Sequence, residues 1–244
     1  MDSNQFDRAL SRANDNARER TGIGRLSEKV MHAALKYYLE PDERYHEIPV
    51  GRYVADIARE DGIVEIQTRS LDRLRDKLDA FLSLGRVTVV YPIPHIKHLK
   101  WLDPQTGEIS KARKSPKTGT FSDAFYELYR ICPQLSHPHL HIKLLLLDVE
   151  EIRFLDGWSY DKKRGSTRCN RVPTALAGEL TLTCPQDYAA LLPAELPEVF
   201  TAKELSKAAH ISPKVAARGI RVLCQTGCIV RDGKRGRAYV YRIT

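Results

Sequence analysis

The dipeptide Asp61-Gly62, set between two runs that alternate apolar and polar residues, constrains this chain more than any other feature. Such a pair between strand-like runs is among the strongest short-range signals for a two-residue hairpin turn. Because side chains alternate faces along a strand, the turn also decides which residues share a face. Pairing Glu60 with Ile63 sets Ala58 opposite Glu65 and Asp56 opposite Gln67, so Asp56, Glu65 and Gln67 project from one side. Asp56 and Glu65 become diagonal neighbours, roughly 7–8 Å apart at the backbone. Two such charges repel by about 2 kcal/mol at an effective dielectric near ~20. A divalent cation between them removes that cost. Hard oxygen donors in small number, with positions left for water and phosphate, suit Mg²⁺ or Mn²⁺ rather than zinc. The structural alternative is that these polar residues form the wet face of an antiparallel sheet.

The flanking residues supply a context for the hairpin. From Arg25 to Leu39 the apolar positions Leu26, Val30, Ala33, Ala34 and Tyr37 recur at helical spacing, and this helix carries Glu28. Strand-like runs follow at 44–49, 52–59 and 63–68, then a helix over 71–84 with Leu71, Leu74, Leu78, Phe81 and Leu82 inward, then an apolar strand over 87–93. The order is αβββαβ. Glu28 on the first helix, Asp56, and the tripeptide Glu65-Ile66-Gln67 on such a core resemble the PD-(D/E)XK nuclease superfamily over residues 21–95. The resemblance implies an α/β fold with a mixed sheet, in which Asp56 and Glu65 hold the metal, Gln67 stands in the lysine place and Glu28 supports the metal through water. It implies Mg²⁺-dependent hydrolysis of phosphodiester bonds by in-line attack of water. Gln67 departs from the family pattern, since an amide neither transfers a proton nor carries positive charge. Lys77, on the following helix, could supply the charge but is expected to face solvent.

The charge of the chain is concentrated at its C-terminal end. Residues 201–244 hold ten Lys and Arg against Glu204 and Asp232 alone, which is the entire formal excess of +8, while the first 200 residues balance. A localised positive field of this size favours a polyanion such as nucleic acid. Thr201 and Glu204 are spaced as a capping box, Phe200 and Leu205 as a hydrophobic staple, and Ser212-Pro213 opens a second helix that Gly227 closes. Two strands at 229–231 and 237–242 follow, joined by a basic, glycine-bearing loop. On the second helix Lys214, Arg218, Arg221 and Gln225 recur at spacings that place them on one stripe. This segment is similar to the winged-helix superfamily, and the similarity implies a basic recognition helix with a wing bearing Arg231, Lys234, Arg235 and Arg237. A solvated helix face is the alternative.

Other features are less decisive. Lys97, Lys100, Lys111, Arg113, Lys114 and Lys117 read as a basic insertion between 93 and 121, either solvated or reaching over a DNA backbone; Trp101 packs or stacks. His137, His139 and His141 alternate, as a metal cluster or an exposed strand start would require. The apolar strand over 140–149 extends the first sheet. Five scattered cysteines without a CxxC pair indicate neither a disulfide framework nor a zinc site. The N-terminus lacks the order of a secretory signal, which fits a cytoplasmic protein, and the longest apolar run, Leu144 to Leu147, is too short for a membrane. The expected organisation is a polar arm at 1–20 (a loosely packed helix or a disordered tail), a nuclease-like domain at 21–157, a linker or basic loop at 158–175, and a winged-helix domain at 176–244. The expected activity is that of an endonuclease on double-stranded DNA, of restriction, repair or transposon-end type, with a homodimer or a partner protein compatible with it. The rival expectation is a transcription regulator or adaptor whose nuclease-like domain is inactive.

Overall fold

The computed structural model describes residues 3–19, 26–156 and 168–244. In chain order the regular elements are α1 (Ser3–Glu19), α2 (Leu26–Leu39), β1 (His46–Val50), β2 (Tyr53–Arg59), β3 (Gly62–Ile66), α3 (Arg75–Leu82), β4 (Val87–Leu102) and β5 (Arg113–Lys114). They continue with α4 (Phe125–Leu128), β6 (Leu140–Phe154), β7 (Arg168–Leu182), β8 (Val199–Thr201), α5 (Ala202–Ala208), α6 (Pro213–Gln225), β9 (Ile229–Arg235) and β10 (Ala238–Ile243). The protein is mixed α/β. A mixed sheet takes the order β1-β2-β3-β4-β6-β7 with β5 on β4, and a second sheet takes the order β8-β10-β9. Strand β2 runs antiparallel to β3, whereas β3 runs parallel to β4.

Two compact units share the chain, and neither is one continuous stretch. The first combines Met1–His46, Pro94–Gly119 and Leu145–Glu179. In it the arm takes its helical alternative as α1, and packs: Phe6, Ala9 and Ala13 are buried, and the Phe6 ring meets Tyr38 of α2 edge-on at 5.5 Å. Its strands are longer than expected, because β4 continues through the segment read as a basic insertion as far as Leu102. Likewise β6 extends to Phe154.

The second unit combines Glu47–Ile93, Thr120–Leu144 and Leu180–Thr244. The expected boundary at 158–175 is thereby corrected. Residues 157–167 lie outside the described residues, and from Arg168 the chain is strand, since the basic, glycine-rich composition gives way to apolar and β-branched residues that suit a sheet. Leu176–Leu182, expected in the C-terminal domain, completes β7. The cap signals of the tail are all made: Thr201 Oγ1 accepts the Glu204 N–H at 3.2 Å, Glu204 accepts the Thr201 N–H at 2.7 Å, and Ser212 Oγ accepts the Val215 N–H at 3.3 Å.

The tail is packed tightly onto its own unit. Gly219, in the middle of α6, abuts the fully buried Phe125 of α4, and a Cβ at that position would lie 2.8 Å from the ring. Glycine weakens a helix interior, so its presence here reflects close approach rather than helix propensity. Gly219→Val is expected to lower stability by about 2 kcal/mol through overpacking, measured by urea unfolding, with the far-UV spectrum of the folded state unchanged.

Candidate active site

The hairpin β2–β3 brings its acids together in a different register from the one its turn signal suggests. Arg59 pairs with Gly62, Ala58 with Ile63 and Ile57 with Val64, so the two turn residues are Glu60 and Asp61 rather than Asp61 and Gly62. The reason is local. Gly62 adopts φ 141° as the first residue of β3, where a Cβ would meet the Arg86 carbonyl at 2.7 Å, and Asp61 is held by Arg59 Nε at 3.1 Å and Arg86 Nη2 at 2.8 Å. The slip is even in the sense that matters, so the faces are kept, and just beyond the paired Ile57 and Val64 the two acids reach each other's strands. Asp56 N–H donates to Glu65 Oε1 at 3.2 Å, and Ile66 N–H donates to Asp56 Oδ2 at 2.7 Å.

Burial differs between the two acids. Glu65 is 2% exposed, on the strand that β2 and β4 flank, while Asp56 is half-buried. Burial, and then the charge of Asp56, push the Glu65 carboxyl up to about 7. The opposing influence is Lys77, whose Nζ lies 2.6 Å from Glu65 Oε2. The expectation that Lys77 faces solvent is therefore corrected: its side chain is 20% exposed and its ammonium also lies 5.5 Å from the Phe81 ring. Helical geometry explains the inward turn, because Lys77 and Phe81 are one turn apart on α3.

The approach of α3 is itself fastened by a buried acid. Glu127 accepts the Leu71 N–H at 2.9 Å, the Ser70 hydroxyl at 3.3 Å and Arg130 Nε at 3.1 Å, and Arg130 reaches Asp72 at 3.2 Å. These bonds hold the 3₁₀ turn Leu71–Leu74 that leads into α3. They thereby hold Lys77 over Glu65. The signal for Glu127 in the sequence is weak, being one acid in a short apolar helix.

Gln67 does not join this group. Its Oε1 accepts the Arg69 N–H at 3.2 Å, while its backbone N–H continues the ladder to Val90 O at 3.0 Å. Glu28 lies on α2, but its side chain falls outside the described residues. Among the described residues no three His, Cys, Asp or Glu side chains converge as a metal-holding group, so His137, His139 and His141 are not gathered as a metal cluster. His137 caps the 3₁₀ segment before β6, and its Nδ1 accepts the His139 N–H at 3.2 Å, so the first two rings belong to a turn.

The tail distributes its cations unevenly. Lys214 and Arg221 are exposed, but Arg218 is half-buried, with its guanidinium 4.1 Å from the Tyr126 ring centre and 5.4 Å from that of Tyr129. Gln225 donates to Ser136 Oγ at 3.0 Å and its carbonyl accepts from that hydroxyl at 2.8 Å. The stripe expected to lie on one exposed face is thus divided, because α6 uses Gly219 and its neighbours to dock. In the β9–β10 ribbon, Arg231 and Lys234 lie 3.3 and 5.1 Å from the Tyr239 ring centre, Arg235 pairs with Glu204 at 2.8 Å, and Arg237 is exposed.

A mixed α/β protein whose sheet brings two acids together, one of them met by a lysine of α3, is the class these elements define. The family model described as "Domain of unknown function (DUF8091)" matches residues 29–183, more than half of the chain, and the chain belongs to that family. A Treponema pallidum (strain Nichols) protein, described as uncharacterized, is 30% identical over 228 residues, which cover 90% of this chain and 87% of that one. No solved structure matches. No helix among the described residues is long and apolar enough to cross a membrane.

The raised carboxyl of Glu65 has a consequence for stability. An acid whose folded value lies above its unfolded one contributes stability that is complete below about 4.5 and is lost as pH rises through about 7. Glu65→Gln removes that loss. Chemical denaturation at pH 5 and pH 8 is expected to show the variant gaining on the wild type over this interval, by as much as about 3 kcal/mol.

Proposed function

We propose that this protein is a metal-dependent nuclease acting on double-stranded DNA. The observation that carries the reading is the convergence of Asp56, Glu65 and Lys77 on one face, within an element order of helix, three strands, helix and parallel strand. The donor chemistry fits Mg²⁺ or Mn²⁺: two opposed carboxylates, one of them raised to about 7 by burial and by its neighbour, carry a cost that a hard dication offsets. When bound, such an ion supplies Lewis acidity and a nucleophilic water at neutral pH. The chain's residues do the rest. Asp56 and Glu65 are the ligands, and Glu65 is locked in place by the Asp56 N–H.

Lys77 takes the part that Gln67 cannot. Its ammonium, freed from Glu65 once the carboxylate is otherwise neutralised, is placed to meet a phosphate oxygen as negative charge develops. Gln67 keeps its loop shaped through Arg69. The sheet order β8-β10-β9 beside α5 and α6 suits a winged helix, with the Gly233 and Gly236 ribbon as the wing. In this reading Lys214, Arg221, Lys234 and Arg237 are its phosphate contacts. A second reading, a DNA-binding regulator or adaptor with an inactive site, is favoured by one observation: Lys77 already neutralises Glu65 without any ion.

Plasmid nicking with Mg²⁺ or Mn²⁺ separates the two. Asp56→Ala and Glu65→Ala are expected to abolish cutting, and Lys77→Met to slow it about 10²–10³-fold, while DNA binding in EDTA is retained by all three. Binding without metal-dependent cutting in the wild type would establish the second reading. If about six tail cations meet phosphates, log affinity falls against log salt with a slope near about −5; a salt-insensitive complex would exclude this role for the tail.

A further inference from the structure

A second charged group, within the first unit, has no part in the reading above. On β6 the fully buried row Leu145, Leu147 and Val149 ends in Glu151, which is itself 0% exposed. Each of its oxygens is taken by a different arginine. Oε1 accepts from Arg153 Nε at 2.7 Å with Nη2 at 2.6 Å, and Oε2 accepts from Arg171 Nε at 2.9 Å and Nη2 at 2.5 Å. Burial pushes the Glu151 carboxyl up, but the two guanidiniums outweigh it and hold it below the ordinary range. On β4 the half-buried Lys97 feels Glu151, Arg171, Arg153 and Lys117, and its ammonium is disfavoured first by burial.

The balance of charge is not that of a neutral structural pair. Among the described residues, Arg153 and Arg171 hold the Glu151 carboxylate between them and Lys97 of β4 feels the same charges, so cations outnumber the acid they share in a half-buried place. Burying a carboxylate is costly even when it is paired. Here its geometry yields something specific: two planar forks held on either side of one acid, each guanidinium giving two of its five N–H groups to Glu151. About a quarter of each arginine side chain reaches solvent, 24% for Arg153 and 23% for Arg171. Pre-set guanidinium forks with a flanking ammonium match the oxygens of a phosphate, and an arriving anion relieves the repulsion among the cations.

We propose that Lys97, Arg153 and Arg171 form a phosphate-binding site shaped by Glu151, which takes either a nucleic-acid phosphodiester or the phosphate of a small ligand. The site belongs to the first unit, Asp56 and Glu65 to the second, and it does not depend on their role. Calorimetric titration of the full chain with inorganic phosphate is expected to show binding that Lys97→Gln weakens about tenfold. Arg153→Gln, which leaves Arg171 on Glu151, is expected to weaken it further; Lys97→Gln alone decides the matter if that variant does not fold. A labelled DNA duplex in EDTA identifies the source. Parallel weakening of duplex binding assigns a backbone phosphodiester, and unchanged duplex binding with weakened phosphate binding assigns a small phosphorylated ligand. Absence of phosphate binding in the wild type, or equal affinity in wild type and Lys97→Gln, overturns the site. Asp56→Ala leaves phosphate affinity unchanged, so this proposal and the nuclease reading fail separately.

Discussion

Two carboxylates brought together on neighbouring strands, one of them almost without solvent, set the constraint that their surroundings in the second unit must meet. Left alone, Asp56 and Glu65 would oppose folding whenever both are ionised. The fold answers with Lys77 from a helix whose approach is tied down by another buried acid, Glu127. Each acid also accepts a backbone N–H from across the hairpin, so the two side chains tie the strands together just past the end of their backbone pairing. Such an arrangement costs stability at neutral pH. Proteins tolerate costs of this kind where a site requires them.

Much of this was legible in the sequence, for reasons that can be named. Alternation placed Asp56 and Glu65 on one face, and a face assignment survives any register change of two residues. The turn itself was misjudged because Gly62 satisfies two demands at once, a positive φ and close approach to Arg86, and only the first is visible in a dipeptide. The inward turn of Lys77 was missed for a different reason. Helical spacing put it beside inward residues, yet a lysine there is expected to extend to water unless a buried acid lies within reach, and that knowledge belongs to tertiary structure.

The C-terminal segment shows the same division between local and long-range information. Caps, glycines and the basic bias were readable because they depend on residues three or four apart. The docking of α6 was not, since Gly219 signals a close neighbour without saying which one. The continuation of β4 and β6 well past their apolar cores was hidden as well, because long amphipathic strands rich in lysine and histidine resemble loops by composition. Glu151 belongs to that concealed stretch, where an acid in an otherwise charged region carried no distinguishing mark.

Gly219 also bears on how the C-terminal segment is to be regarded. A helix that meets an aromatic ring with no side chain of its own is shaped to that one surface, and the meeting leaves no room for substitution on either side. A copy of the cationic segment moved away from Phe125 would arrive with a notch and nothing to fill it.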